Sequence, residues 1–309
     1  MFERVVGQES SKRILTAAME NDGISHAYLF HGPKGVGKTT MAVELAMVLN
    51  CEERNGCGVC SSCRRIKEGI FPDVKMVAPD GPSIKIGEIR EFQNFIAMSS
   101  FEGRFKVGII QDAEKLREEA ANSLLKTLEE PPEDSVIILT AQNQYAVLPT
   151  IISRVQMIRF GHLEPREIAR YLVDHKSLSA DQADRLAQYC GGSLGKALEL
   201  YESEETKVLV EAATRVVEEL TKLKPHEMIE VANTVGSERR QAVRFLELLS
   251  DILREKSLKQ EFGLLFGKQY SITQIAAVLD HIEELKLYLN GYGNPQLAIE
   301  GLFIRICRM

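Results

Sequence analysis

Residues 25–40 read SHAYLFHGPKGVGKTT, and this stretch decides the fold of the chain. The apolar run 27–30 predicts a buried strand, and residues 41–49 form an uninterrupted helix-forming segment after the loop. Between them, the pattern G-x4-G-K-T at 32–39 is that of a phosphate-binding loop in its required strand–loop–helix context. An ordinary glycine-rich turn is the alternative, but this context makes a nucleoside triphosphate site the stronger prediction.

The residue types in this loop suit a bound phosphate chain. Glycine allows backbone N–H groups to curl around phosphate oxygens, and the N-terminus of the following helix adds its dipole. Lys38 would reach the β- and γ-phosphates, and the hydroxyl of Thr39 would hold Mg²⁺. The sequence therefore predicts ATP with Mg²⁺ as a cofactor. The loop residues predicted to bind it are Gly32, Gly35, Gly37, Lys38, Thr39 and Thr40.

Composition narrows the class of protein. The chain has 309 residues, 44% of them hydrophobic, and a net charge of −6. This length predicts two or three domains, and no apolar run in the sequence approaches the length needed to span a membrane. Residues 1–4, MFER, do not begin a secretory signal, so we expect a cytoplasmic protein without membrane contact. The acidic balance disfavours a protein that binds nucleic acid by itself, because such proteins usually carry a basic face.

Four of the six cysteines lie close together, within residues 51–63. Their spacing is C-x5-C-x2-C-x2-C, and the small residues between them let the backbone turn tightly enough for four thiolates to point inward. Four sulfur ligands are typical of a structural Zn²⁺ site, which has no open position for water. Disulfides and a catalytic cysteine are the alternatives; a reducing cytoplasm disfavours the first, and the second has no histidine nearby in the sequence. The predicted zinc ligands are Cys51, Cys57, Cys60 and Cys63.

Strands and helices alternate in the first half of the chain. Short apolar runs predict further strands, and amphipathic stretches between them predict helices. This alternation is typical of a parallel, doubly wound α/β layer. The predicted strands are 74–77, 106–110, 136–140 and 155–160, and the predicted helices include 87–98 and 118–128.

From residue 164 onward the sequence predicts helices alone. Three short helices occupy 165–201, and five longer amphipathic helices follow after 202–205. The last helix, 296–307, is apolar on much of its surface and must bury that surface against its own domain or against a partner chain. The sequence does not decide between these two possibilities. We therefore predict an α/β nucleotide-binding core at 1–162 with an inserted zinc module at about 50–64, a small helical lid at 163–203, and an all-α C-terminal domain at 204–309.

Several motifs together resemble those of one family. They are VGQE at 6–9, HAYLF at 26–30, the phosphate loop, the four cysteines, ANSLLKTLEEPP at 121–132 and LPTIISR at 148–154. This set closely resembles the bacterial sliding-clamp loader subunits, which are AAA+ proteins of the DNA polymerase III holoenzyme. The resemblance covers residues 1 to about 200. The C-terminal third matches only as a helical domain of suitable size for the family's oligomerisation collar.

The resemblance implies one of two subunit types. The ATP-hydrolysing motor carries an Asp-Glu pair after strand 106–110 and an arginine on its lid, whereas the other type is a rigid partner in the same ring. This chain has Gln111-Asp112 in place of the pair and Gly195 in place of the arginine. The departures imply a rigid partner that binds ATP but hydrolyses it slowly or not at all. The alternative is a gamma/tau-type motor ATPase in which Asp112 or Glu114 replaces the missing carboxylate.

Two more residues receive roles from the resemblance. Arg154 stands in Ser153-Arg154-Val155, where the family has Ser-Arg-Cys, and would enter the ATP site of the neighbouring subunit as an arginine finger. The alternative is a surface arginine in a local salt bridge. Thr140 matches the polar position that senses the γ-phosphate in related ATPases. Asp112 and Thr140 therefore join the predicted nucleotide contacts.

The resemblance also implies partners. The chain would join gamma/tau motor subunits and the clamp-opening delta subunit in a hetero-pentameric ring, and would contribute Arg154 to a neighbour. Through that complex it would act on the sliding clamp and primed DNA during replication. A second alternative is a AAA+ protein outside the replicase that binds DNA independently, which the acidic net charge disfavours.

Overall fold

The computed structural model describes residues 1–202, 204–258, 265, 266 and 268–309. The predicted lid boundary at Ser203 lies outside these described residues. The chain divides into two compact units, Met1–Glu167 and Ile168–Met309. The first unit carries the sheet and the phosphate loop, and the second unit is helical.

The first unit is built on one parallel sheet. Its strands, among the residues described, are β1 (Ala27–His31), β2 (Val74–Val77), β3 (Lys106–Ile110), β4 (Ser135–Ala141) and β5 (Gln156–Arg159). Their order across the sheet is β2-β3-β4-β1-β5, so the first strand of the chain lies between two later ones. All neighbouring pairs run parallel. The predicted parallel sheet is confirmed.

Two hydrophobic cores lie on the two faces of the sheet. Side chains alternate along β1, so that Tyr28 and Phe30 join one core and Ala27 and Leu29 join the other. This double burial explains why the strand reads as a continuous apolar run in the sequence. The helices of this unit are α1 (Glu9–Glu20), α2 (Lys38–Asn50), α3 (Ser61–Lys67), α4 (Ile86–Ala97), α5 (Glu118–Glu129) and α6 (Pro149–Ile152).

The carboxyl ends of the central strands finish at one edge of the sheet. His31 at the end of β1 pairs with Ala141 at the end of β4, and Ile110 at the end of β3 pairs with Leu139. The loops that follow these strands therefore start side by side. In open α/β sheets ligands bind at this edge.

A buried ion pair fixes the start of β3. Lys106 Nζ lies 2.9 Å from Asp73 Oδ1, and the two side chains are 7% and 0% exposed. The same carboxylate accepts backbone hydrogen bonds from Phe101, Glu102 and Gly103 at 2.7–2.9 Å. Burial raises the pKa of the Asp73 carboxyl, but these N–H groups and the Lys106 ammonium outweigh it and lower the pKa to about 2. One carboxylate thus holds the loop between α4 and β3.

Helices form the rest of the described chain, apart from short turns and an isolated bridge between Leu265 and Lys268. Ser179 and Gln182 form a capping box, and Asn294 caps the last helix ahead of Pro295. Among the described helices, none is long and apolar enough to cross a membrane. The helices are α7 (Pro165–Lys176), α8 (Ala180–Tyr189), α9 (Leu194–Glu202), α10 (Glu204–Glu219), α11 (Pro225–Val235), α12 (Arg239–Leu258), α13 (Ile272–Asn290) and α14 (Pro295–Arg308).

The last helix is covered inside its own unit. α14 packs against α11, α12 and α13, and the ring of Phe303 meets that of Phe245 on α12 edge-on, with centroids 6.2 Å apart. Ile299, Leu302 and Ile306 are fully buried. Its own domain therefore buries one face of this helix, while Leu297 and Ile304 are exposed.

Candidate nucleotide-binding site and metal centre

The phosphate loop connects β1 to α2 at the carboxyl edge of the sheet. Its glycines take backbone conformations that other residues rarely adopt, with φ of 147° at Gly32, 75° at Gly35 and 99° at Gly37. At Gly32 a Cβ would lie 2.1 Å from the backbone oxygen of Phe160, so no side chain fits. Gly37 is the N-cap of α2, and the free N–H groups of the first helical turn therefore lie at the loop.

Lys38 begins α2 and folds back over the loop. Its ammonium donates hydrogen bonds to the carbonyl oxygens of Gly32 at 2.7 Å and Pro33 at 2.5 Å. Burial lowers the pKa of Lys38, and the carboxylates of Glu114 and Asp112 oppose this effect. A phosphate oxygen is a stronger partner than a carbonyl oxygen for an ammonium group because the resulting bond joins two full charges. Lys38 is therefore positioned to bind phosphate.

Asp112 and Thr140 meet at the same edge. Asp112 has a positive φ of 49°, and its backbone N–H donates to Thr140 Oγ1 at 3.2 Å. The Asp112 carboxylate forms an ion pair with Lys115 at 3.1 Å, three residues further along its own loop. The structure thus brings together the phosphate loop and the two residues predicted beside it.

The positions around Asp112 differ in charge. Gln111 is neutral, and its amide donates to Sδ of Met76 on β2 at 2.9 Å. Glu114 Oε1 accepts a hydrogen bond from the backbone of Gln142, just after β4, at 3.0 Å. Its Oε2 is buried and has no hydrogen-bond partner among the described residues. Glu114 therefore places an unsatisfied carboxylate oxygen within electrostatic reach of Lys38.

Sequence reasoning missed the contacts of the segment before α1. The Gln8 amide donates to the carbonyl oxygens of Val36 at 3.3 Å and Gly161 at 2.8 Å, which links the phosphate loop to the residues after β5. Val5 is buried, and its Cγ1 lies 3.6 Å from the place where a Cβ on Gly37 would be. The motif VGQE contributed to the family resemblance, but its composition does not predict these contacts.

Arg154 lies in the turn between α6 and β5. Its guanidinium forms an ion pair with Glu129 at the end of α5, with Nε 2.8 Å from Oε1. Nη1 donates to the carbonyl oxygen of Thr150 at 2.8 Å. The local salt bridge that was the alternative interpretation is thus present in the single chain. A role in a neighbouring subunit stays a prediction.

The four cysteines converge beside the end of α2. Cys51 is the C-cap of α2, Cys60 is the N-cap of α3, and Cys63 lies inside α3. The four sulfur atoms lie within 4.8 Å of one another, and these cysteines, all of them described, form no disulfide. Backbone N–H groups donate to the sulfurs of Cys51, Cys57 and Cys60 at 3.3–3.5 Å. The predicted ligand set is therefore gathered around one point.

This donor set fits zinc. A tetrahedral ion with Zn–S bonds of about 2.3 Å holds its sulfurs about 3.8 Å apart, a separation below the 4.8 Å within which the four sulfurs lie here. Burial raises the pKa of the Cys51 thiol, but backbone N–H groups outweigh it and lower the pKa to about 6. Burial raises the pKa of Cys63, and the neighbouring sulfurs of Cys60 and Cys51 raise it further. A divalent cation would balance the charge of thiolates that otherwise repel one another.

Comparison with known proteins identifies a family. Residues 7–164, just over half of the chain, match the family described as "DNA polymerase III, delta subunit". Subunit delta' of DNA polymerase III from Bacillus subtilis is 38% identical over 195 residues, which cover 62% of this chain and 59% of that protein. Subunit tau from Escherichia coli is 36% identical over 208 residues, which cover 64% of this chain and 32% of that protein. The matched region thus spans about three fifths of the first relative and about a third of the second.

A solved structure shares the fold. A DNA polymerase III gamma-subunit-related protein from Thermotoga maritima matches with a TM-score of 0.55 at 20% sequence identity, covering 95% of this chain and 98% of that chain. At this identity the likeness concerns the fold alone. Together with the parallel sheet and the helical C-terminal region, it confirms the predicted fold class of an α/β core with a parallel sheet followed by helices.

Proposed function

Because the chain belongs to the DNA polymerase III delta-subunit family, we propose that it is the delta prime subunit of a bacterial clamp loader. The similarity to delta' and tau proteins supports the part of this proposal that makes the chain a clamp-loader subunit. The choice between a motor and a rigid partner depends on residues of the nucleotide site. In this proposal the chain holds ATP with Mg²⁺ in its phosphate loop and hydrolyses it slowly or not at all.

Gln111 is the observation that carries the choice. Hydrolysis by a AAA+ motor needs carboxylates after this strand, which hold Mg²⁺ and orient the attacking water. Gln111 supplies no charge and contacts Met76 instead, and the Asp112 carboxylate is paired with Lys115. The glycines and Lys38 of the loop are nonetheless arranged to bind phosphate. A chain with an intact phosphate loop, but without the carboxylate pair after β3, should bind ATP and hydrolyse it inefficiently.

The proposal extends to domains and partners. The core at 1–162, the lid at 163–203 and the collar at 204–309 would place the chain in a hetero-pentameric ring with gamma/tau and delta subunits in the cytoplasm. Arg154 would serve the ATP site of a neighbouring motor subunit. The ring would load the sliding clamp on primed DNA, and this chain would take part through the complex.

The isolated chain should bind ATP with a clear dependence on Lys38 and should turn it over far more slowly than a motor subunit. We expect Lys38→Ala to weaken ATP binding by about 10–150-fold, because it removes a charge-assisted hydrogen bond worth about 1.5–3 kcal/mol. Titration with a fluorescent ATP analogue measures the affinity, and phosphate release measures turnover. Lys34→Ala is the matched control, since this lysine is exposed in the same loop, and should change the affinity much less.

Glu114 favours the gamma/tau-type alternative, because its carboxylate has an unsatisfied oxygen and acts electrostatically on Lys38. The same assay separates the two functions. Turnover at motor rates that is lost in both Lys38→Ala and Glu114→Gln would contradict the proposed rigid partner and support an active ATPase. Slow turnover that is insensitive to Glu114→Gln supports the rigid partner.

We propose that the four cysteines hold one structural zinc ion. Protein purified without added zinc should contain about one zinc per chain by elemental analysis, and Cys57→Ser should lower both the zinc content and the melting temperature, because metal binding contributes to folding. Cys307→Ser is the control, since Cys307 lies outside the cluster, and should leave the zinc content unchanged. A metal-free chain with the melting temperature of the zinc-loaded one would contradict a structural role.

A further inference from the structure

Arg4 lies between the cysteine cluster and the phosphate loop. Its Nε lies 2.7 Å from Oε1 of Glu44 on α2, whose side chain is 5% exposed. Burial raises the pKa of Glu44, and the charge of Arg4 opposes this effect. A buried carboxylate that loses its partner is strongly destabilising. Arg4 is therefore held in one position relative to the helix that begins at the phosphate loop.

The far end of the Arg4 guanidinium reaches the cysteine loop. Nη2 donates to Sδ of Met47, further along α2, at 3.0 Å. A Cβ on Gly58, which lies between the second and third cysteines, would be 3.4 Å from the same Nη2. A Cβ on Gly56 would be 2.9 Å from Val48 of α2. The cysteine loop thus lies near enough to the guanidinium and to the helix that a side chain at Gly58 or Gly56 would meet them.

The residues that follow Arg4 contact the phosphate loop. Val5 Cγ1 lies 3.6 Å from the place of a Cβ on Gly37, and the Gln8 amide donates to the carbonyl oxygen of Val36 at 3.3 Å. Backbone N–H groups of such a loop are the groups that bind phosphate. Residues 4–8 therefore run from beside the cysteine loop, at Arg4, to the nucleotide-binding loop, which Gln8 contacts.

From these contacts we infer that Arg4 is a positioning residue that couples the zinc site to the nucleotide site. Zinc orders residues 51–63 and so holds the Gly58 backbone against Arg4, and Arg4 holds Val5 against the phosphate loop. ATP orders that loop from the other side. Each ligand therefore favours the binding of the other. The inference rests on the proposed zinc and ATP sites. It adds that the affinity of each site depends on whether the other is occupied.

Coupling of this kind has a signature that a purely structural arginine lacks. A structural Arg4 would change the stability of the fold but would leave the zinc affinity independent of ATP. A coupling residue makes each affinity depend on the other ligand by the same factor, because linkage between two sites is reciprocal. Coupling free energies between sites usually correspond to factors of about 5–150.

The test is an equilibrium competition for zinc between the full chain and a chromophoric chelator, with and without saturating ATP and excess Mg²⁺. We expect ATP to raise the zinc affinity of the natural chain by about 5-fold or more. Lys38→Ala at the same ATP concentration corrects for zinc that ATP itself binds. If the corrected zinc affinity of the natural chain is the same with and without ATP, the inference is overturned, and no other variant is needed to show this.

Arg4→Lys then tests the residue. Lysine keeps one positive charge for Glu44 but lacks the second nitrogen that reaches Met47 and Gly58, so the fold should be kept and the coupling factor should fall to about one. Arg64→Lys, at an exposed arginine of α3, is the matched control and should keep the factor. Full coupling in Arg4→Lys would overturn the role of Arg4. A natural chain that binds no zinc or no ATP would overturn the proposed function itself, and the inference with it.

Discussion

A clamp-loader complex that carries Arg154→Ala in this subunit should lose about 10³-fold or more of the ATPase rate at the neighbouring site, where we propose that Arg154 acts. An arginine finger has this effect because it stabilises charge on the phosphoryl group in the transition state. Arg154 first has to leave Glu129, and exchange of such an exposed ion pair costs only about 0.2–1 kcal/mol. The measurement is DNA-stimulated phosphate release by the reconstituted complex, in steady state and in a single turnover.

Glu129→Ala separates the two roles of Arg154. It breaks the same ion pair but leaves the guanidinium free to enter the neighbouring site, so the ATPase rate should be kept. Arg154→Lys should resemble Arg154→Ala, because an ammonium does not reproduce the two-pronged contact of a guanidinium with phosphate. Both Arg154→Ala and Glu129→Ala should lower the stability of the isolated chain by at most about 1 kcal/mol. An equal loss of ATPase rate in Glu129→Ala would mean that the local ion pair, and not a finger, matters.

Asp73→Ala should destabilise the first unit by about 3–5 kcal/mol, the usual cost of leaving one partner of a buried ion pair alone. The substitution leaves the Lys106 ammonium buried and removes the acceptor of the N–H groups of residues 101–103. Urea unfolding at pH 7, followed by circular dichroism, measures the loss. The double variant Asp73→Asn with Lys106→Met should lose less, because it removes both charges and keeps an acceptor oxygen. A double variant that is less stable than Asp73→Ala would contradict this account.

The stabilisation by Asp73 should also depend on pH. Its folded pKa of about 2 lies below the ordinary value of 3.8, so its contribution is fully present above about pH 4 and is lost as the pH falls towards 2. The difference in unfolding free energy between the natural chain and Asp73→Ala should therefore shrink between pH 4 and pH 2. A constant difference over this range would show that the carboxylate charge is not what holds the loop.

The three central strands of the first unit, β1, β3 and β4, were predictable because each is a short, largely apolar run buried on both sides. The prediction of strand 106–110 matches β3 (Lys106–Ile110) at both ends. Two short helices were not predicted. α3 begins at Ser61, after the N-cap Cys60, whose sulfur accepts the capping hydrogen bond in place of the oxygen of a usual capping residue. α6 has 4 residues, which is too short for helical periodicity to show.

Part of the candidate site was also predictable. The phosphate loop and the cysteine cluster each consist of consecutive or closely spaced residues. Their spacing alone therefore predicts a bound phosphate for the first and a bound metal ion for the second. Asp112 and Thr140 were placed through the family resemblance, and the parallel register of β3 and β4 brings them together. The roles of Arg4 and Gln8 were not predictable, because Arg4 contacts Glu44 and Gln8 contacts Gly161, far along the chain.

The sequence by itself determined the local chemistry: a loop whose glycines reach positive φ, four cysteines at ligand spacing, and a neutral Gln111 where a motor has a carboxylate. These features depend on residue type and on neighbours a few positions away. Only the tertiary structure decided that Arg154 pairs with Glu129, that one face of α14 is covered by its own unit, and that Arg4 lies between the cysteine loop and the phosphate loop. Such contacts join distant segments, and packing of the whole fold selects them from many pairings that the sequence alone permits.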